Sequence, residues 1–258
     1  MNRRHLIAAL LACSLSTALH AEAPAAAPDN AEAQALLARA DEFRNFRGKA
    51  FSFDLTLVSH EEGEASKSFK LNARILNPHT SLVVYADPPS EQGKALLMDG
   101  NNLWFSTPTN SKPLRITPQQ RLLGEASNGD VASTDFSGDY SPAVVARESL
   151  DGVNAVKLEL IARPNNLAAY GRVLLWVRAS DSAPVKAEFF GPSGKLLKTA
   201  YYRKYETLAG LGGKRQLTEL EIVNALNPGK RTVMQYAGFK LGELPETMFT
   251  TAYLTRLR

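Results

Sequence analysis

The alternation of apolar and polar residues constrains this chain more than any other feature. In FSFDLTLV, Phe51, Phe53, Leu55 and Leu57 fall on one side of an extended backbone and Ser52, Asp54 and Thr56 on the other. A period of two is that of a half-buried β-strand, because successive side chains leave opposite faces. SFKLNARI repeats it with Phe69, Leu71, Ala73 and Ile75, and the intervening HEEGE reads as a polar hairpin turn around Gly63. Further candidate strands are TSLVVYA, KALLMDG, NLWFSTP, KPLRIT, NAVKLELIA, GRVLLWVR, PVKAEFF, GKLLKTAYYRKYE, KRQLTELEIVN and KRTVMQYAGF. Turn signals at DGNN, PSGK, GLGGK and NPGK separate them.

About a dozen short strands joined by tight turns predict one large antiparallel meander. A sheet of that width twists and curls toward a barrel or half-barrel. The expected fold is therefore mainly β with a few helices, an α+β chain. Residues 30–47 predict one amphipathic helix, with Leu36, Leu37, Ala40 and Phe43 at three-to-four spacing, a cap at Asp29 or Asn30 and an end near Gly48. PETMFTTAYLTRL predicts a short C-terminal helix carrying Phe249, Tyr253 and Leu257 on one side. The long helix is expected to cover one face of the sheet.

The N-terminus reads as an export signal. Arg3 and Arg4 precede a mostly apolar stretch from Leu6 to Leu19, interrupted by Ser14, Ser16 and Thr17. A bilayer span needs about 20 apolar residues, so this stretch is too short to be one. Ala21-Glu22-Ala23 offers small residues at the spacing a signal peptidase reads, with cleavage after Ala21 or Ala23. LLAC, ending at Cys13, gives the alternative of a lipid-anchored cysteine. The expected division is a signal peptide at 1–21, an Ala/Pro-rich spacer at 22–29 and a single domain at 30–258. The expected location is the periplasm.

Cleavage removes the chain's one cysteine, so disulfides and thiol chemistry are not expected. The formal charge of +4 includes Arg3 and Arg4, and no basic stripe suggests nucleic acid. Neither His60 nor His79 has a neighbour at metal-ligand spacing. GPSG and GLGGKR read as turns, lacking the context of a nucleophile elbow or phosphate loop. Asp130, Asp135 and Asp139 sit in a Ser/Asn/Gly-rich stretch, where capping is the expected duty of a carboxylate. Catalytic residues, metals and cofactors are not expected, and the chain is expected to be a monomer and not an enzyme.

Residues 117–150 depart from the alternation. TPQQRLLG and SPAVVARESL predict two short helices, each with Pro following its cap, and GEASNGDVASTDFSGDY lies between them. A connection of this length in a compact domain is usually functional. Leu122, Leu123, Val131, Phe136 and Tyr140 make it apolar enough to lie over the open mouth of a curled sheet as a lid. Val83, Tyr85, Leu96, Leu97, Trp104, Phe105, Trp176 and Val177 make several strands apolar on both faces, an excess that suits a lipid-sized cavity.

NLWFSTPTNSKPLRIT, RLLGEASNGDVASTDFSGDY, LLWV, PVKAEFFGPSGKLLKTAYYRKY and LPETMFTTAYL resemble the LolA-like family of outer-membrane lipoprotein-sorting proteins, within it the branch often encoded beside export permeases. The likeness spans residues 45–257. It implies a curled antiparallel half-barrel whose concave side is covered by helices and accepts acyl chains. Trp104, Phe105, Phe136 and Tyr140 match its most specific segments and would be cavity or lid residues; Leu122, Leu123, Val131 and Trp176 complete the expected set. Implied partners are the acyl chains of a lipoprotein or lipid, an inner-membrane export permease and an outer-membrane acceptor. The alternative is a periplasmic lipid-sensing regulator that uses the same half-barrel to control a partner protein.

Overall fold

The computed structural model describes residues 31–257 except 47, 111, 134 and 165–167. The expected signal peptide, Cys13, the 22–29 spacer and the helix cap at Asp29 or Asn30 lie outside the described residues.

Helix α1 (Ala31–Asp41) opens the fold, followed by β1 (Phe51–His60), β2 (Lys67–Asn77), β3 (Thr80–Asp87), β4 (Ala95–Asp99), β5 (Asn102–Ser106) and β6 (Leu114–Ile116). Strands β7 (Arg121–Leu123) and β8 (Ala126–Ser127) form a small separate hairpin, and helix α2 (Asn128–Ala132) follows. The chain then runs through β9 (Tyr140–Leu150), β10 (Val153–Ala162), β11 (Arg172–Arg178), β12 (Pro184–Phe190), β13 (Leu196–Leu208), β14 (Lys214–Asn224) and β15 (Arg231–Leu241). A 3-10 turn at Glu246–Met248 and helix α3 (Thr251–Leu254) end it.

Thirteen strands make one antiparallel sheet in the order β6-β5-β4-β3-β2-β1-β15-β14-β13-β12-β11-β10-β9. The chain enters at the middle, meanders to the β6 edge, crosses to the opposite edge at β9 and meanders back until β15 pairs with β1, from Phe51 opposite Leu241 to His60 opposite Arg231. The sheet does not close into a barrel, since β6 and β9 are both edges.

That order explains why residues 117–139 form a cover. Twelve interstrand spacings put the two edges about 58 Å apart measured along the sheet. With the β7–β8 hairpin folded back on itself, the rest of the connection reaches about 45 Å. The connection fits only because the sheet curls, and it then runs across the concave side. Apolar side chains of α1 (Ala33, Leu36, Leu37 and Ala40) and of the connection (Leu123, Ala126 and Val131) share one buried cluster with the inner faces of the strands. On the outer face a smaller cluster joins Leu82, Ala95 and Leu97 to Phe249 and Leu254 of the C-terminal turns.

Three expectations need correction. SPAVVARESL is an edge strand, β9, and not a helix. Pro142 fits there because an edge strand can present a position with no N–H to donate, and the register slips between Lys157 and Leu158 of β10, where Val145 is the extra residue. The expected lid at 117–150 therefore loses its last third to the sheet. The other expected helix, TPQQRLLG, gives a turn and then β7. Helix α1 stops at Asp41, short of Gly48. Beyond it β14 takes the free carbonyls, as Leu217 N–H donates to the Phe43 carbonyl at 2.8 Å and Gln216 Nε2 to that of Glu42 at 2.8 Å.

Gly124 turns the β7–β8 hairpin with φ +54, a conformation that favours glycine. A Cβ there would lie 2.3 Å from Thr232 Oγ1 and 2.4 Å from Ser59 Oγ. The hairpin thus seats its backbone directly on β1 and β15, where Glu125 N–H donates to Thr232 Oγ1 at 2.8 Å.

Candidate functional site

Alternation sends Phe189, Ala200, Tyr202, Leu220 and Ile222 of β12, β13 and β14 to the inner face, where they wall a cavity of about 40 Å³ under the cover. The cover supplies Asp130 and Phe136 to the opposite wall, and Tyr140, the first residue of β9, adds to it. A second cavity of about 20 Å³ lies between Phe53, Leu217, Tyr236 and Phe239 on the sheet and Phe43 and Val131 above them. Arg44, Asp130 and Ser133 border both. The two together hold only a few water molecules. Side chains thus nearly fill these two spaces, while past the end of α1 a pocket of about 220 Å³ lies between Phe46, Phe51 and Ile75 and the cover's Asp135 and Ser137. Among the filling side chains, Phe136 meets Tyr140 edge-on at 5.7 Å and Tyr170 meets Phe189 at 4.6 Å.

Packing alone does not hold the cover. Asp41 ends α1 on the same side as Leu37 and Ala40 and is buried. Its carboxyl accepts from Phe136 N–H at 2.9 Å and from Ser137 N–H at 2.8 Å. Burial, with Asp135 alongside, pushes this carboxyl well above the usual carboxylate range, while the two amides act the other way. Burial also acts to raise Asp135, but hydrogen bonds with Asp41 and Ser137 hold it below its ordinary value. Three residues on from Asp41, Arg44 Nη2 donates to the Ser133 carbonyl at 3.2 Å, and its guanidinium lies 4.9 Å from the centre of the Phe136 ring.

A second fastening grips the start of α2. Lys198 of β13 shares the inner face with Ala200 and Tyr202, and its ammonium bonds to Asp130 and, at 3.1 Å, to the Glu125 carbonyl. The two side chains are 7% and 9% exposed, which makes this a buried ion pair. Asp130 also accepts from Ser127 N–H at 2.8 Å and from the Tyr170 hydroxyl at 3.1 Å. Each charge is thus compensated, as burial requires. On the β3 side, Ser81 Oγ donates to the Ala132 carbonyl at 2.9 Å.

Six of the eight residues expected from the sequence gather on this inner side. Leu123, Val131 and Tyr140 belong to the main buried cluster, and Phe105, Leu122 and Phe136 pack against it. Trp104 and Trp176 do not join them. Trp104 follows the pleat to the outer face and packs against the cluster of Phe249 and Leu254. Trp176 lies with Ala155 and Leu174, its ring between Lys157 Nζ at 4.6 Å and Lys186 Nζ at 4.7 Å. Asp41, Arg44, Tyr170 and Lys198 were not singled out from the sequence. A signal existed for two of them, since Asp41 continues the apolar face of α1 and Lys198 sits in phase with Ala200 and Tyr202. Among the described residues no group of His, Cys, Asp and Glu could hold a metal ion, and no helix is long and apolar enough to cross a membrane.

An open antiparallel sheet, its apolar concave side shut by a fastened crossing segment, defines a half-barrel with a covered interior. A family profile described only as an uncharacterized protein matches residues 78–256. The structure is similar to that of a LolA superfamily protein from Nitrosomonas europaea, with 35% sequence identity, a TM-score of 0.79 and coverage of 86% of this chain and 98% of that one. It shares the fold of a domain assigned to outer membrane lipoprotein sorting from Vibrio parahaemolyticus, at 19% identity and TM-score 0.72, covering 87% of this chain and 99% of the other. The same holds for a DUF1329 family protein from Desulfovibrio piger, at 19% identity and TM-score 0.72, covering 88% and 100%. No curated protein matches the chain. The chain belongs to the LolA superfamily.

Proposed function

We propose that this protein is a periplasmic carrier that takes the acyl chains of a lipid or lipoprotein between sheet and cover for transport toward the outer membrane. The observation that carries this reading is the combination of an apolar, aromatic inner face with a cover held by a few polar fastenings. Such a cover can be lifted without unfolding the sheet, because the strands keep their ladder bonds when residues 117–139 move. Burying each acyl methylene contributes about 0.8 kcal/mol, enough for a chain of modest length to displace side chains packed between sheet and cover. The work is reversible burial, with no covalent step. An inner-membrane export permease would load the carrier and an outer-membrane acceptor would unload it. The relative assigned to outer membrane lipoprotein sorting supports this direction of transport.

The test is the uptake of a fluorescent fatty acid and of an acylated lipopeptide by delipidated protein comprising residues 22–258. Saturable uptake of at least one probe, with faster hydrogen exchange in residues 128–139, is expected. No uptake of either above background would overturn the reading.

A further inference from the structure

A groove of about 290 Å³ lies on the outside of the cover, between the β7–β8 hairpin and the β12–β13 and β14–β15 turns. Four of its wall residues carry charge: Arg121, Lys195 and Lys198 are cationic, and only Glu125 is anionic. Glu125 is already engaged, accepting from Asn224 Nδ2 at 2.8 Å. Arg121 and Lys195 are exposed and have no ion-pair partner among the described residues. Beside them Leu197 and Leu226 are 42% and 72% exposed, and the Leu197 carbonyl accepts from Ala225 N–H at 3.1 Å, which ties the two loops together. A basic recess with an apolar lip suits neither water alone nor a neutral surface.

The groove and the covered interior share one wall. Tyr170 lines both the groove and the larger inner cavity, and its hydroxyl is held by Ser127 at 3.0 Å and Asp130 at 3.1 Å. Lys198 Nζ lies 5.0 Å from the Tyr170 ring centre, so the partition is the Lys198–Asp130 fastening itself. We propose that this groove holds the anionic headgroup of the amphiphile whose chain enters the interior past Tyr170, so that the cargo is an acidic lipid bearing a phosphate or carboxylate. This rests on the reading of the interior as an acyl-chain site. Arg121 and Lys195 meet the anion first, with Leu197 and Leu226 against the uppermost methylenes. An anion that reaches Lys198 competes with Asp130 for the same ammonium, and headgroup binding thereby loosens α2 and admits the chain.

The experiment compares three probes on delipidated protein comprising residues 22–258: lysophosphatidylglycerol, lysophosphatidylcholine of the same chain length, and inorganic phosphate. Tighter binding of lysophosphatidylglycerol than of the other two is expected. The Arg121→Ala/Lys195→Ala double variant should weaken it about tenfold, the combined effect of two exposed ion pairs, and change lysophosphatidylcholine far less, because its choline cation offsets the phosphate. Equal affinity for both lysolipids, or a double variant without effect, would overturn the headgroup site while leaving the acyl-chain reading standing. Phosphate binding as tight as lysophosphatidylglycerol would overturn it too, in favour of a free-anion site. Failure of both lysolipids to bind would remove the acyl-chain reading and this proposal together.

Discussion

Asp41 and Phe136, 95 residues apart in sequence, are joined by a hydrogen bond of 2.9 Å from the backbone amide of one to the carboxyl of the other. The bond ties the end of α1 to the cover, and Ser137 N–H doubles it at 2.8 Å. Asp41→Ala should therefore leave two partly buried amides without an acceptor. The expected cost is about 1–3 kcal/mol, confined to the cover. Hydrogen exchange at Phe136 and Ser137 should accelerate while the β1–β2 ladder keeps its protection. Unchanged exchange at those two amides would show that the bond does not hold the cover.

The same carboxyl makes closure depend on pH. Asp41 is raised above its ordinary value, so the folded state holds its proton more tightly than the unfolded chain does. The stability this adds is complete below the unfolded value and is lost as pH rises through the folded one. Asp135 is lowered, so its contribution is present above the unfolded value and lost as pH falls through the folded one. Asp139, raised by burial, acts in the same sense as Asp41. Closure should be firmest between the depressed Asp135 and the raised Asp41, and loosen as pH rises through the folded value of Asp41. Exchange rates across residues 135–139 that are flat over this window, after correction for intrinsic chemistry, would refute it.

The buried pair of Lys198 and Asp130 predicts a strongly non-additive double-mutant cycle. Lys198→Met strands a carboxylate in the interior and should destabilise by about 3 kcal/mol. Asp130→Leu strands the ammonium and should do the same. The double variant, with no buried charge left, should recover most of the loss. Thermal unfolding of the four proteins measures the coupling, and additive losses would mean that the two charges do not compensate one another.

Phe136→Asp tests the cover's apolar face without touching the sheet. The new carboxylate would sit under Arg44, whose guanidinium is 4.9 Å from the ring it replaces, so the closed form is partly compensated. An acyl chain would instead meet a buried charge. Uptake should fall at least about tenfold, or about 1.4 kcal/mol, with the thermal midpoint little changed. Undiminished uptake would confine Phe136 to packing.

The sheet was legible because its signal is local: alternation in FSFDLTLV or RVLLWVR reports burial of one face or both. Edge β9 was misread because Ser141 and Pro142 imitate a helix start, while the extra residue Val145 breaks the period of two. The fastenings were illegible for a different reason. Asp41 and the Phe136 amide, or Lys198 and Asp130, meet only because β6 and β9 lie at opposite edges and the connection crosses between them. Nothing in either local pattern specifies that crossing. The pleat did carry one usable fact that the site expectation did not apply. Neighbours such as Trp104 and Phe105 cannot both face the interior.

That fact gives a direct probe of where cargo lies. Trp104 and Trp176 are the chain's two tryptophans, and both belong to outer-face clusters. Their emission should therefore stay unchanged when the protein takes up a fatty acid brominated along its chain, since bromine quenches only what it nearly touches. Phe136 packs against the inner cluster and lines the larger cavity, so a Phe136→Trp variant should report the same ligand by strong quenching of its added emission. Quenching of the unmodified protein, with none added by the new tryptophan, would put the acyl chain on the convex side, against the C-terminal turns or the Lys157–Trp176–Lys186 stack, and the covered interior would cease to be the binding site.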